Sequence, residues 1–575
     1  MPMLSRRTFL AGVGAPALAS RRDSRLREFA YSQVRLTGGP LAVMYERTRA
    51  HFVTLDEDRL LKVYRQRAAM PAPGRDMGGW YDADGFVPGH LLGQFISGLA
   101  RIHAHTGDAE AAAKAARLVT GYGAAFERDG NPYASQKAID TWACYVLDKY
   151  AIGLIDAATL AGVSQARPLL TRVLEAGRRY IPDHVFDRVG VRNPPYDEPY
   201  VLPENLFNAW TATGDARFRG LAERYLLDSF FDPLARGENV LPGRHGYSHV
   251  IALSSAAKAF EVTGRQKYLR AIRNGWDMLA DTQQYASGAW APQEMFVQPH
   301  AGQLAASLTA TRDHFETPCC YYAHSKLARY LTAFTGEARY ADGLERVLYN
   351  TILGALDPDD DGGYFYYSDY QAGARKRYYP RKWPCCAGTL LQSVADYPLN
   401  IYFHDPRGVA ICLYAASEVH WTTKGVAVRL AQHTAYPESD RIEVRVDPAA
   451  PVEFELRLRI PQWLDRPARL AVNGRTMSVD MTPGRFATLQ RRWRKGDVVE
   501  LTLPFSFRAA PIDDRNPNTV ALMYGPLMLV AVEPPAHLAS TLRRIEPVPG
   551  TPLEFDCAVA GGQVRLRPFY RVGRE

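Results

Sequence analysis

Away from its N-terminus the chain has no apolar run of the roughly 20 residues that a membrane-spanning helix needs. The longest, Val520 to Val532, is interrupted by Gly525 and Pro526. A dense Lys/Arg tract is also missing, and the net charge of +8 is spread over 575 residues. Neither membrane insertion nor nucleic-acid binding is therefore expected. Cysteine is scarce, with seven residues in all, which does not suit a small disulfide-stapled scaffold. Low complexity is absent: 47% hydrophobic and 23% charged residues, with 45 Gly and 39 Pro, are ordinary globular composition. The length corresponds to about three or four domain equivalents.

At the N-terminus, Ser5-Arg6-Arg7-Thr8-Phe9-Leu10 precedes a short apolar run and Ala17-Leu18-Ala19. This combination resembles a twin-arginine export signal ending in an A-x-A cleavage site. Residues 1–20 are expected to be that signal, and the periplasm or the medium outside a bacterial cell the destination.

Between about residues 40 and 400 a short motif recurs after Ala-rich apolar segments: Thr106-Gly107-Asp108, Thr213-Gly214-Asp215, Thr263-Gly264-Arg265 and Thr335-Gly336-Glu337. Each Gly is placed to end a helix in the left-handed conformation. With Leu160-Ala161-Gly162 as a degenerate member, the glycines fall about fifty residues apart, with one longer interval. A period near fifty fits one helical hairpin per unit. Six such hairpins closing on themselves give an (α/α)6 barrel with a pocket at one mouth, and an open solenoid is the alternative. The longer interval holds an extra loop from Tyr285 to Phe315, and long loops on rigid scaffolds tend to carry function. The period then falls to two, as in Arg441-Ile-Glu-Val-Arg-Val and Glu453-Phe-Glu-Leu-Arg-Leu-Arg-Ile, with turns such as Val472-Asn473-Gly474. This predicts antiparallel β-sandwich structure. The expected architecture is α+β multidomain: a helical barrel over 21–404 and a β-sandwich region over 405–575.

Cys144, Cys412 and Cys557 are single and sit among apolar neighbours, as small core residues do. The other four form two adjacent pairs, Cys319-Cys320 and Cys385-Cys386, a poor arrangement for disulfides because bridging neighbours is strained. Glu316 lies three residues before Cys319, so three sulfurs and one carboxylate could hold a divalent ion in a tetrahedral set. Two buried thiol pairs are the alternative. Asp359-Asp360-Asp361-Gly362-Gly363 looks like a calcium loop but lacks the later glutamate, and reads as a solvated turn.

Several segments together resemble the bacterial β-L-arabinofuranosidases of glycoside hydrolase family 127. They are Gly79-Trp80, Gly89-His90-Leu91-Leu92-Gly93-Gln94, Glu316-Thr317-Pro318-Cys319, Glu345-Arg346-Val347-Leu348-Tyr349-Asn350, Tyr364-Phe365-Tyr366-Tyr367, Cys385-Cys386 and Trp493-Arg-Lys-Gly-Asp-Val-Val. The resemblance covers nearly the whole chain after the export motif and implies an (α/α)6 barrel followed by β-sandwich modules. It also implies a zinc ion held by Glu316, Cys319, Cys385 and Cys386, with Cys385 the nucleophile. The chain has Glu-x-x-Cys where better-known members have Glu-x-Cys, which leaves Cys320 as an alternative to Cys319. Ala387-Gly388-Thr389 replaces their Pro-Pro-Asn, so a changed pocket rim is expected. The acid/base falls on Glu294, whose apolar and aromatic surroundings favour a raised carboxyl pKa. Its wider separation from Glu316 requires an insertion between them. Glu345 and Tyr366 match positions that hydrogen-bond the sugar, and His90, His245 and His249 match pocket-lining histidines. The implied activity is retaining, exo-acting hydrolysis of terminal furanosides of plant-type glycans. A polysaccharide lyase on a similar toroid-plus-sandwich plan, or a non-catalytic glycan-binding protein, are the competing functions.

Overall fold

The structure, a computed structural model, describes residues 26–190, 196–357, 365–379, 382–534, 544–559 and 562–574. The export motif and the Asp359-Asp360-Asp361 run lie outside the described residues. Six helices form a closed inner ring: Leu91–Thr106, Gln136–Thr159, Leu202–Thr213, Gly246–Thr263, Thr317–Thr335 and Cys385–Ala395. Each packs on the next, and the last returns to the first. Outside them lie Ala109–Asp129, Ala166–Gly177, Ala216–Arg224, Gln266–Thr282, Arg339–Asn350 and, across the closure, Gly39–Thr54. This is an (α/α)6 barrel.

Inner helices are buried on nearly all faces, which accounts for their apolar, small-residue sequences. Where Leu91–Thr106 crosses Gln136–Thr159, Gly93 faces the Lys149 carbonyl and Gly153 faces the Gly93 backbone, leaving no room for a β-carbon on either. Gly107, Gly214, Gly264 and Gly336 terminate their helices with left-handed φ values of 74°, 78°, 69° and 70°. Gly162 is also left-handed but follows a helix that ends at Thr159.

Two sheets of five and seven strands and a third of six make up the β region. Pairing is antiparallel except between Val452–Ile460 and Gly408–Ile411, which run parallel. The division at residue 404 is crossed by the N-terminal segment. Arg27–Glu28 pairs with Tyr402–Asp405, and Val34–Leu36 with Ser417–Thr423. Strands of two and three residues are too short for an alternation to reveal. The barrel and sandwich are also joined by a buried ion cluster, in which Arg459, wholly inaccessible, meets Asp342 and Glu345 from the Arg339–Asn350 helix.

Candidate active site

Two inner helices aim their N-termini at one point. Cys385 and Cys386 begin the helix that follows Pro384. Glu316 is the N-cap of Thr317–Thr335, and Cys319 lies in that helix's first turn. The positive ends of both helix dipoles thus face four groups that can carry negative charge. Cys319 Sγ stands 3.4 Å from Cys385 Sγ and 3.3 Å from Cys386 Sγ, and Cys385 Sγ stands 3.2 Å from Glu316 Oε1. One donor atom from each of the four residues lies within 4.8 Å of all the others. Around a tetrahedral zinc with Zn–S bonds near 2.3 Å, ligand atoms sit roughly 3.5–3.8 Å apart; the three contacts here are a few tenths of an ångström shorter, and the three-sulfur, one-carboxylate donor set is of the type that holds such an ion.

Burial holds the Glu316 carboxyl well above the usual carboxylate range, and the Cys385 charge adds to that. A hydrogen bond to Cys319 raises the Cys385 thiol, and burial raises Cys386. Cys319 alone is lowered: burial raises it, but its hydrogen-bond contacts with Cys385 and Cys386 outweigh that. Four such groups ionise together only around a cation. Cys320 is outside the cluster; burial raises its thiol, and it lies against the Trp290 backbone.

The cluster forms one side of a cavity of about 370 Å³ at the barrel mouth. Glu294 also lines the cavity, with a carboxylate oxygen within 4.8 Å of Glu316; it is carried by the 3₁₀ turn Pro292–Glu294, in which Gln293 and Glu294 both have positive φ, after Ala291 at 72°. Three left-handed non-glycine residues in four are costly, and such strain recurs at functional sites. Tyr366 donates to Glu294 Oε1 at 2.9 Å, and Tyr367 donates to the same oxygen. The short ladder pairing Phe315–Glu316 with Tyr367–Ser368 fixes these tyrosines relative to Glu316. The helix Gln303–Ala310 occupies the stretch between Glu294 and Glu316.

His245 bridges the two carboxylates. Its Nε2 is 3.5 Å from Glu316 Oε2 and 3.6 Å from Glu294 Oε2, and its Nδ1 is 2.7 Å from Glu198 Oε1. Burial alone would lower its pKa, but Glu198 and Glu316 raise it to about 10. Glu198 is likewise penalised by burial yet falls to about 2, because His245 and Arg188 flank it.

Of the residues expected at the site, Cys385, Glu294, Glu316, His245 and Tyr366 line the cavity, and Cys319 and Cys386 complete the cluster behind it. The other three are elsewhere. Glu345 is buried at the barrel–sandwich junction, where it accepts hydrogen bonds from Arg459, Trp463 and Tyr436, so its carboxylate is already used. His249 lies under His245, with Nε2 on Asp187 at 2.9 Å and Nδ1 on the His245 carbonyl. His90 is inaccessible, its Nδ1 2.6 Å from the Val87 carbonyl, and burial lowers its pKa to about 4. Ala387, Gly388 and Thr389 are buried within the helix rather than at the rim, with Thr389 Oγ1 3.2 Å from Cys319 Sγ. Sequence reasoning missed Trp80, Trp142, Tyr145, Arg188, Glu198 and Lys382 as cavity residues. Trp80 is signalled by the Gly79-Trp80 motif, and the others carry no local signal.

A thiol and a carboxyl group in one aromatic-walled cavity supply the nucleophile and proton donor that glycoside cleavage needs. Residues 33–399 match the catalytic domain of glycoside hydrolase family 127, described as β-L-arabinofuranosidase, and residues 408–505 match its middle domain. The chain belongs to this family. Its fold is similar to a GH127 β-arabinofuranosidase at a TM-score of 0.78 and 18% identity, covering 95% of this chain and 96% of that one. A structure described as a glycoside hydrolase matches at 0.72 and 16%, over 97% of each chain. The GH127 β-L-arabinofuranosidase from Geobacillus stearothermophilus T6 matches at 0.69 and 18%, over 94% of this chain and 98% of that one. No curated protein sequence matches significantly.

Proposed function

We propose that this hydrolase is a retaining, exo-acting furanosidase in which Cys385 is the nucleophile and Glu294 the acid/base, acting on terminal furanosides of plant-type glycans. The observation that supports it most is the convergence of Glu316, Cys319, Cys385 and Cys386 on one point in the cavity that Glu294 also lines. Zinc held by those four residues would keep the Cys385 sulfur as a thiolate, which a free thiol near pKa 8.5 mostly is not at neutral pH. Glu294, oriented by Tyr366 and Tyr367, protonates the leaving oxygen while Cys385 Sγ bonds to the anomeric carbon. Glu294 then takes a proton from water, which displaces the sulfur and releases the sugar with its configuration retained. Trp80 and Trp142 wall the cavity and offer faces for the sugar ring. The Ser5–Leu10 motif supports export as the enzyme's route. Cys385→Ser, assayed with 4-nitrophenyl β-L-arabinofuranoside, is expected to keep the fold and lose turnover by at least about 10³-fold. Wild-type rates in that variant would remove Cys385 from the reaction.

A further inference from the structure

We propose that Tyr145 binds the sugar hydroxyl next to the anomeric carbon, so that the enzyme selects furanosides bearing a free 2-hydroxyl. This rests on the reading of Cys385 as nucleophile. The Tyr145 side chain is 4% exposed and lines the cavity, yet its hydroxyl has no hydrogen-bond partner among the described residues. A buried, unpaired phenol is costly unless a ligand completes it. Even the sulfurs are out of hydrogen-bond reach, although Cys385 and Cys319 are the charges that bear most strongly on it. Tyr145 and Cys385 line the same cavity, and a furanose whose anomeric carbon meets Cys385 there brings its adjacent hydroxyl to this unused donor.

The surroundings hold this hydroxyl in place. The helix Gln136–Thr159 is broken at Trp142, whose φ and ψ are −141° and 28°. It restarts with the Cys144 and Tyr145 amides donating to the Asp197 carboxylate at 2.8 and 3.0 Å, a capping arrangement inside a helix. On the ring face, Lys149 Nζ lies 4.5 Å from the Tyr145 centroid and is itself held by Asp148 at 2.9 Å. A cation on the face of a phenol is attracted by the ring quadrupole, which holds the ring in place. Asn205 fixes Asp148 in turn, at 2.7 Å. Four buried polar residues, Asp197, Lys149, Asp148 and Asn205, thus support a hydroxyl that the protein itself does not use.

The test compares the wild-type enzyme with Tyr145→Phe on 4-nitrophenyl β-L-arabinofuranoside and on its 2-deoxy analogue. Tyr145→Phe is expected to lower kcat/KM on the hydroxylated substrate by about 10- to 100-fold and to leave the 2-deoxy substrate within about twofold. Metal content and Tm should be unchanged or the Tm slightly higher, because the substitution removes a buried group without a partner; a purely structural tyrosine would lower the Tm instead. Equal losses on both substrates, or no loss on either, would overturn the assignment. Competitive inhibition of the wild type by L-arabinose and by its 2-deoxy form gives the same comparison without a variant. Equal inhibition constants would also overturn it. A wild-type enzyme that cleaves no furanoside would refute the proposed function itself, a result distinct from all of these.

Discussion

Replacing Glu345 with glutamine separates a structural from a sugar-binding carboxylate. Glu345 Oε2 accepts from Arg459 and from Tyr436 at 2.6 Å, and Oε1 accepts from Trp463 at 2.9 Å. An amide retains one acceptor oxygen, so at least two donors aimed at the other position lose their partner in a site where Arg459 is wholly buried. At about 1–3 kcal/mol per unpaired buried donor, and with one charge removed from a buried pair at about 3–5 kcal/mol, the two routes agree on a loss of about 3–5 kcal/mol. Asp342 also pairs with Arg459 and, with burial raising its pKa only to about 6, is mostly ionised at neutral pH, so the lower end of that range is expected. For a cooperative unit of 150–250 residues, the whole range corresponds to a fall in Tm of roughly 6–20 °C. Differential scanning calorimetry reads the Tm, and kinetics well below the transition should return an unchanged KM. A raised KM with an unaltered Tm would refute this reasoning and return Glu345 to the sugar.

Gly93→Ala drives a methyl group into the Lys149 backbone where two inner helices cross, and should cost at least about 1–3 kcal/mol, read as a lower urea midpoint. The Glu198 pKa near 2 means that its pairing with Arg188 and His245 stabilises the fold fully above pH 4.5, and that this contribution is lost as pH falls toward 2. Between pH 7 and pH 3.5 the wild type should lose about 1.4 kcal/mol through this group, and Glu198→Gln should flatten the acid limb of urea midpoints by that amount. Cys319→Ala should abolish stoichiometric zinc binding, whereas Cys320→Ala should leave it intact, as measured by elemental analysis of the purified proteins.

The barrel was legible because its helices repeat. The Thr-Gly motifs are helix ends whose left-handed glycines are a local requirement, and burial of the inner helices forces their small-residue composition. Cys385-Cys386 and Glu316 stood out because donor-rich residues are rare in such helices. What stayed hidden depends on distance in sequence. Glu198 acquires its role from Arg188 and His245, which an irregular loop and a helix start bring to it. Tyr145 depends on a mid-helix break capped by Asp197. Glu345 and His249 match family positions, but tertiary partners absorb their polar atoms, and sequence spacing carries no record of those partners; His90 is simply buried. The N-terminal strands were missed because two residues cannot display a period.

The central claim, that Cys385 attacks the sugar, is tested most directly by trapping. Glu294→Gln keeps a good leaving group such as nitrophenolate departing but slows the water step that needs a base. Mixed with 4-nitrophenyl β-L-arabinofuranoside and quenched in acid, this variant should gain the mass of one anhydropentose per chain, located by peptide mass spectrometry on Cys385. A pentosyl adduct on a carboxylate, or rapid turnover by Cys385→Ser under the same conditions, would contradict the account.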